Sequence, residues 1–244
     1  MKLAIFGATS AIAVETARCF AADGADIALV ARNADKLEGV RNDLLARGAR
    51  SATAITADLA DLDALPSLVQ QVDAALGGID AALIAHGELG DQRAAEADAG
   101  VMLAQMRVNA LSFMVLMDEL ANLLEPRRSG CIAVIGSVAG DRGRGSNYVY
   151  GAAKAAVAAF AAGLRARLVR SGVAVVTIKP GFVATPMTAH LRQGLLFAEP
   201  APVGRRIYQA MLRGEDVVYT PGFWALIMLI IRHIPERIFK HLRL

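Results

Sequence analysis

The sequence predicts an α/β protein built on one doubly wound, seven-stranded parallel sheet, and three observations lead there. Short β-branched and aliphatic runs alternate with longer Ala- and Leu-rich stretches at helical period, which is the rhythm of βαβ units. Apolar residues make up 55% of the chain and aromatics only 5%, a balance suited to strands buried on both faces beneath small-residue helices. A chain of 244 residues can bury a sizeable core within a single domain.

Taken in order, the aliphatic run Lys2–Phe6 opens as a strand and passes through a Gly-containing loop into an Ala-rich helix, Ala11–Ala22. The alternation continues with strand Asp26–Ala31, helix Asp35–Arg47, strand Ser51–Thr56, helix Leu62–Leu76 and strand Ala81–Ala85. A long helical region, Ala94–Leu124, leads to strand Cys131–Gly136, and helix Tyr148–Arg170 to strand Val173–Lys179. Helix Val203–Leu212 and strand Val217–Tyr219 complete the set. Right-handed crossovers between such strands place ligands beyond the strands' carboxyl ends, so the chemistry belongs there. No repeat, low-complexity tract or Pro/Ser-rich linker interrupts the chain, and residues 1–222 read as one domain followed by a tail, 223–244.

The net charge of +3 is small and the basic residues before the tail are scattered, which argues against a nucleic-acid-binding surface. From Phe223 onward Arg232, Arg237, Lys240 and Arg243 face Glu236 alone, an excess equal to the whole net charge. Phe223–Ile231 is free of charge but far shorter than the roughly 20 residues that span a bilayer. Beyond it Ile234, Ile238 and Leu242 recur every fourth residue among the cations, a pattern that suits a helix lying in a membrane interface. Packing against a second subunit of a homo-oligomer, or over the cleft, explains the tail equally well. Cys19 and Cys131 lack the spacing of a metal site or disulfide framework and read as small buried hydrophobes in a reducing compartment. The chain starts directly on an apolar strand without the features of a leader, so cytoplasmic residence is expected, with the membrane's inner face as a further option.

The opening strand runs into Gly7-Ala8-Thr9-Ser10-Ala11-Ile12-Ala13 and then a helix, an arrangement that aims backbone N–H groups at an anion such as a pyrophosphate. The second strand ends Ala31-Arg32-Asn33, where a dinucleotide fold meets the adenosine ribose. An acid there would repel a 2′-phosphate, whereas Arg32 offers it a fork of donors, so NADP(H) is expected. Asp58, past the third strand, can accept from an adenine amino group or cap the following helix.

Tyr150-Gly-Ala-Ala-Lys154 opens a helix and puts a phenol and an ammonium one turn apart on one face. A phenol loses its proton near pH about 10, and an adjacent ammonium favours the phenolate, so Lys154 would tune Tyr150 toward acid/base work. Ser137, at the end of the fifth strand, can bond a substrate oxygen beside Tyr150.

Gly7 to Ala13, Asp58, Asn109, Ser137, Tyr150, Lys154 and Pro180-Gly181 follow one another in an order and spacing that resemble the short-chain dehydrogenase/reductase family over residues 1 to about 220. The resemblance implies a Rossmann-type fold and a carbonyl reduction in which Tyr150 is the general acid. Ser137 would orient the carbonyl, Lys154 would also hold the nicotinamide ribose, and Asn109 would support a proton relay. It further implies cofactor contacts at Gly7, Thr9, Ser10, Ile12, Arg32, Asp58, Leu59, His86, Gly87, Tyr150, Lys154, Pro180 and Gly181. The Val183 backbone and Thr185 hydroxyl would meet the nicotinamide carboxamide. Two features depart from the pattern: the later loop glycines are Ala11 and Ala13, and the family's Asn-Asn-Ala-Gly reads Ile84-Ala85-His86-Gly87. Ala11 sets a methyl where backbone should approach phosphate, which bears on cofactor affinity. His86 reads as a wall residue of the cleft or as a participant in proton transfer.

Tyr148-Val-Tyr150-Gly, Thr188-Ala189-His190-Leu191 and Arg232-His233-Ile234-Pro235 are also similar to decaprenylphosphoryl-2-keto-ribose reductases, which implies a lipid-linked keto-sugar among the possible carbonyl substrates. A catalytically idle NADP(H)-binding sensor or scaffold is the competing class, and binding without turnover of any carbonyl would identify it.

Overall fold

The computed structural model describes residues 1–189 and 194–242; His190 and Leu191 of the narrower resemblance, and Arg243 of the tail, lie outside the described residues. The chain runs β1 (Lys2–Phe6), α1 (Ala11–Ala22), β2 (Asp26–Ala31), α2 (Ala34–Ala46), β3 (Ser51–Thr56), α3 (Leu65–Leu76) and β4 (Ala81–Ile84). It continues through α4 (Gln92–Ala97), α5 (Ala99–Met106), a π turn (Arg107–Leu111), α6 (Ser112–Leu124), β5 (Gly130–Ile135), α7 (Tyr148–Leu168) and β6 (Val173–Pro180). β7 (Phe182–Val183), β8 (Phe197–Ala198), α8 (Pro200–Arg213), β9 (Val217–Thr220), α9 (Phe223–His233) and α10 (Glu236–Phe239) follow.

Seven strands form one parallel sheet in the order β3-β2-β1-β4-β5-β6-β9, so the expected doubly wound architecture is present. The chain reverses its winding between β1 and β4, which opens a crevice at their carboxyl ends. Alternate residues of β1 show why a central strand is apolar on both faces: Ala4 and Phe6 enter the core under α3, α6 and α7, whereas Leu3 and Ile5 enter the core under α1, α2 and α8.

Several boundaries differ from the sequence reading. The long helix Ala94–Leu124 is interrupted where Asp98, in extended conformation, caps α5 by accepting from Gly100 N at 2.7 Å, and again by the π turn. α3 begins at Leu65, with Pro66 in its first turn, rather than at Leu62. β5 ends at Ile135, two positions before Ser137. Ala99–Leu124 as a whole is long and apolar enough to cross a membrane, yet Phe113, Leu116, Met117, Leu120 and Leu124 pack into the core of the sheet. In the tail, Pro235 holds Ile234 extended, so the expected stripe shrinks to the single turn α10, and Phe239 is the residue that turns inward.

Candidate active site

A cavity of about 850 Å³ opens beyond the carboxyl ends of the central strands. At the end of β1 the chain turns at Gly7 with φ +89°, where a Cβ would collide with the His86 backbone. Only glycine fits there. Ser10 precedes α1 in extended conformation without a side-chain cap, so among the described residues the first N–H groups of α1 stay free beside the cavity wall formed by Thr9, Ser10 and Ile12. Ala11 lines the cavity and Ala13 is fully buried. Arg32, directly beyond β2, is exposed on the same cavity, and its guanidinium has no partner among the described residues. Asp58 and Leu59 border this end as well. The Asp58 carboxylate accepts from Ala60 N at 3.0 Å in a local turn, so it does not cap α3.

The loop after β4 is tied to the π turn. Asn109 is fully buried; its Oδ1 accepts from Glu88 N at 3.0 Å and its Nδ2 donates to Glu88 O at 2.9 Å. Gly87, at φ +138°, leaves room for that amide, since a Cβ would stand 2.8 Å from Asn109 Oδ1. His86 stacks on Phe113 at 4.3 Å, and its Nε2 lies 2.6 Å from Ser112 Oγ. The Ser112 hydroxyl donates to Val108 O at 2.8 Å, so Nε2 carries the ring proton. Burial, reinforced by the nearby Lys154 ammonium, pushes the imidazole down to about 3. His86 is therefore a neutral wall residue, and its other nitrogen, Nδ1, is buried without a partner among the described residues. That geometry favours the wall reading over proton transfer.

Ser137 sits just beyond β5, where its Oγ accepts from Ala139 N at 3.1 Å. Tyr150 lies in the first turn of α7 and Lys154 one turn later, both on the cavity. Lys154 is 3% exposed; its Nζ donates to Ile135 O at 3.0 Å and stands 4.1 Å from the centre of the Phe113 ring and 5.8 Å from that of Tyr150. Burial lowers the ammonium to about 7. Burial also raises the Tyr150 phenol, while a hydrogen bond with Ser137 pulls it back. Desolvation therefore dominates at the phenol, with Ser137 as the opposing group, and the lowering by Lys154 that the four-residue spacing predicts is not among the causes of the shift.

Pro180 ends β6, and Gly181 passes so close to Trp224 of α9 that a Cβ would collide with the indole. Val183 is buried in β7, and the Thr185 and Thr188 hydroxyls are 3.5 Å apart. All of these except Trp224 face the cavity. The cavity residues that the sequence reading did not single out include a cation, Arg144, from the loop between Ser137 and Tyr150. Its only signal in the sequence is a second arginine in Arg142-Gly143-Arg144-Gly145, which by itself looks like a solvated loop.

A doubly wound domain with a glycine turn feeding a helix N-terminus, and a Ser-Tyr-Lys group on the same crevice, belongs among the nucleotide-dependent oxidoreductases. The family model described as short chain dehydrogenase matches residues 2–196, and the chain belongs to the short-chain dehydrogenase/reductase family of oxidoreductases. An uncharacterized oxidoreductase of Mycobacterium tuberculosis is 37% identical over 240 residues, covering 98% of this chain and 95% of the relative. Another, from the mprA 5′ region of Streptomyces coelicolor, is 34% identical over 245 residues, covering 99% and 95%. Among solved structures, levodione reductase superposes with a TM-score of 0.83 at 22% identity, covering 92% of this chain and 97% of that one. Actinorhodin polyketide ketoreductase, determined with NADPH, gives 0.79 at 22% identity and covers 89% and 95%.

Proposed function

We propose that the protein is an NADP(H)-dependent oxidoreductase that reduces a ketone, or oxidises a secondary alcohol, with Tyr150 as general acid/base. The observation that carries this reading is the meeting of Ser137, Tyr150 and Lys154 on the cavity that the Gly7 turn and the α1 N-terminus also border. When bound, the dinucleotide supplies the hydride. The free N–H groups of α1, with Thr9, Ser10 and Ile12, would hold its pyrophosphate, and Arg32 its 2′-phosphate. Lys154, whose ammonium donates only to the Ile135 carbonyl among the described residues, would bond the nicotinamide ribose. Val183 and Thr185 would meet the carboxamide. Ser137 would hold the substrate oxygen while the Tyr150 phenol delivers a proton to it, and the clamped Asn109 would keep a proton path open behind Lys154.

The reading extends to a lipid-linked keto-sugar as substrate and to a cytoplasmic homo-oligomer. Exposed Leu103 and Leu111 on the α5–α6 region would supply apolar surface for a second subunit. The tail would touch the inner face of an anionic membrane, and its exposed apolar side chains support that placement.

Tyr150→Phe tests the core of the proposal, because it deletes one hydroxyl. NADPH binding, followed by nucleotide fluorescence, should persist, while turnover of any competent ketone should fall by about 10²–10⁴-fold. Near-normal rates in that variant would remove Tyr150 from the chemistry.

A further inference from the structure

Among the described residues, the half-buried arginines are paired with carboxylates, with one exception. Arg18, Arg41, Arg142, Arg165 and Arg206 each meet an acidic side chain at 2.5–3.3 Å. Arg144, equally half-buried, has no hydrogen bond or ion pair from its guanidinium among the described residues. The undescribed residues His190, Leu191, Arg192, Gln193, Arg243 and Leu244 carry no acidic side chain that could complete it. Burial depresses this guanidinium, and no neighbouring acid offsets the effect. An uncompensated, partly desolvated cation costs stability, and an anion that fills the site repays that cost on binding.

The loop that carries Arg144 is held in place. The Asp141 carboxylate accepts from Lys179 Nζ at 2.5 Å and from the Tyr219 hydroxyl at 2.6 Å. Arg142 donates to Arg232 O at 3.0 Å and to Glu236 Oε2 at 2.6 Å. Asn147 N closes a turn onto Arg144 O at 3.2 Å. The guanidinium is therefore presented to the cavity from an anchored segment between Ser137 and Tyr150. It follows β5, whereas Arg32 follows β2; the sheet order sets these strands three steps apart, about 14 Å. The two cations serve different ends of one cleft.

We propose that Arg144 binds an oxyanion, a phosphate or a carboxylate, carried by the carbonyl substrate. This deepens the reductase reading and rests on it: the substrate is an anionic ketone or its alcohol. A free sugar phosphate, an oxo acid and a lipid-linked phosphate all present that chemistry.

The test is a calorimetric titration of the full-length protein saturated with NADP⁺, which has no hydride to give a ketone, with matched probes. Ribulose 5-phosphate is compared with ribulose, levulinate with its methyl ester, and farnesyl phosphate with farnesol in detergent. At least one anionic probe should bind tenfold or more tightly than its neutral partner. Arg144→Ala should abolish that difference without changing NADPH affinity, and Arg144→Lys should retain part of it. A preference limited to farnesyl phosphate assigns a lipid-borne anion, and one for the other two a soluble anion. Equal binding of every pair, survival of the preference in Arg144→Ala, or a loss of NADPH affinity in that variant overturns the assignment. Because binding is read without turnover, an anion preference in a protein that transfers no hydride would leave this site standing and remove only the reductase reading.

Discussion

At the scale of single residues, the cleft is governed by what each cation lacks. Arg32 has no partner of its own among the described residues, so Arg32→Ala should leave the fold intact while weakening NADPH by about tenfold or more, with little effect on NADH. Equal losses for the two nucleotides in a fluorescence titration would show that this guanidinium does not read the 2′-phosphate. Lys154 carries a pH signature. Its ammonium titrates at about 7 in the folded protein against 10.5 for a free lysine, so between those values the unfolded chain binds the extra proton and stability rises with pH. Below about 7 both states are charged and the full burial penalty is present. Lys154→Met should therefore raise the melting temperature by several degrees at pH 6 and by much less at pH 9.5; a pH-independent difference in calorimetric scans would contradict the assignment. Tyr150 and Lys154 were readable because a four-residue spacing implies one helical face. Arg144 and the neutral His86 were not, since whether an arginine is paired or an imidazole desolvated depends on segments far away in sequence.

Elements were readable where periodicity was unbroken and misread where side chains interrupted it. The strands of the sheet follow from aliphatic runs, but the division of Ala94–Leu124 depends on Asp98 turning its carboxylate onto the Gly100 N–H, a local competition that hydropathy does not register. The pair β7 and β8 is two residues per strand, too short for any period to show. Between elements, α1 and α8 approach closely: a Cβ on Gly204 would stand 2.6 Å from Glu15 Cβ and 2.7 Å from Thr16 N. Backbone on one side cannot yield, so Gly204→Ala should destabilise by about 1–3 kcal/mol. Gly39, within α2, has nothing near its missing Cβ, and Gly39→Ala should stabilise by roughly 0.5–1 kcal/mol through helix propensity. A denaturant midpoint for Gly204→Ala at or above that of the parent would show that the α1–α8 approach does not limit packing.

For the molecule as a whole, the question is what the tail faces. α9 buries Trp224 and Met228 against Val138 with Phe182 and Tyr219 alongside, so the tail shares a small core with the walls of the cleft. Removing it would expose that core as well as delete its outer surface, and truncation would confuse the two. Its outer surface is open: Phe223, Leu226, Leu229 and Ile230 on α9, with Ile238 and Leu242 beyond, are 44–63% exposed. Arg232, Arg237 and Lys240 are exposed around them, and the single acid, Glu236, is engaged by Arg142. A second copy meeting this face about a two-fold axis would bring like charges together, whereas an anionic bilayer neutralises them and accepts the apolar side chains. Each cation near such a surface contributes about 1 kcal/mol, an attraction that salt screens. The full chain should therefore co-sediment with vesicles containing phosphatidylserine at low ionic strength and release as salt is raised. Combined Leu226→Ser, Leu229→Ser and Ile230→Ser substitutions, and separately Arg237→Glu with Lys240→Glu, should each abolish co-sedimentation while NADPH binding and melting temperature stay near those of the parent. A protein that ignores these vesicles at low salt but changes sedimentation coefficient with the triple-serine variant would place a second subunit, not a membrane, on this face.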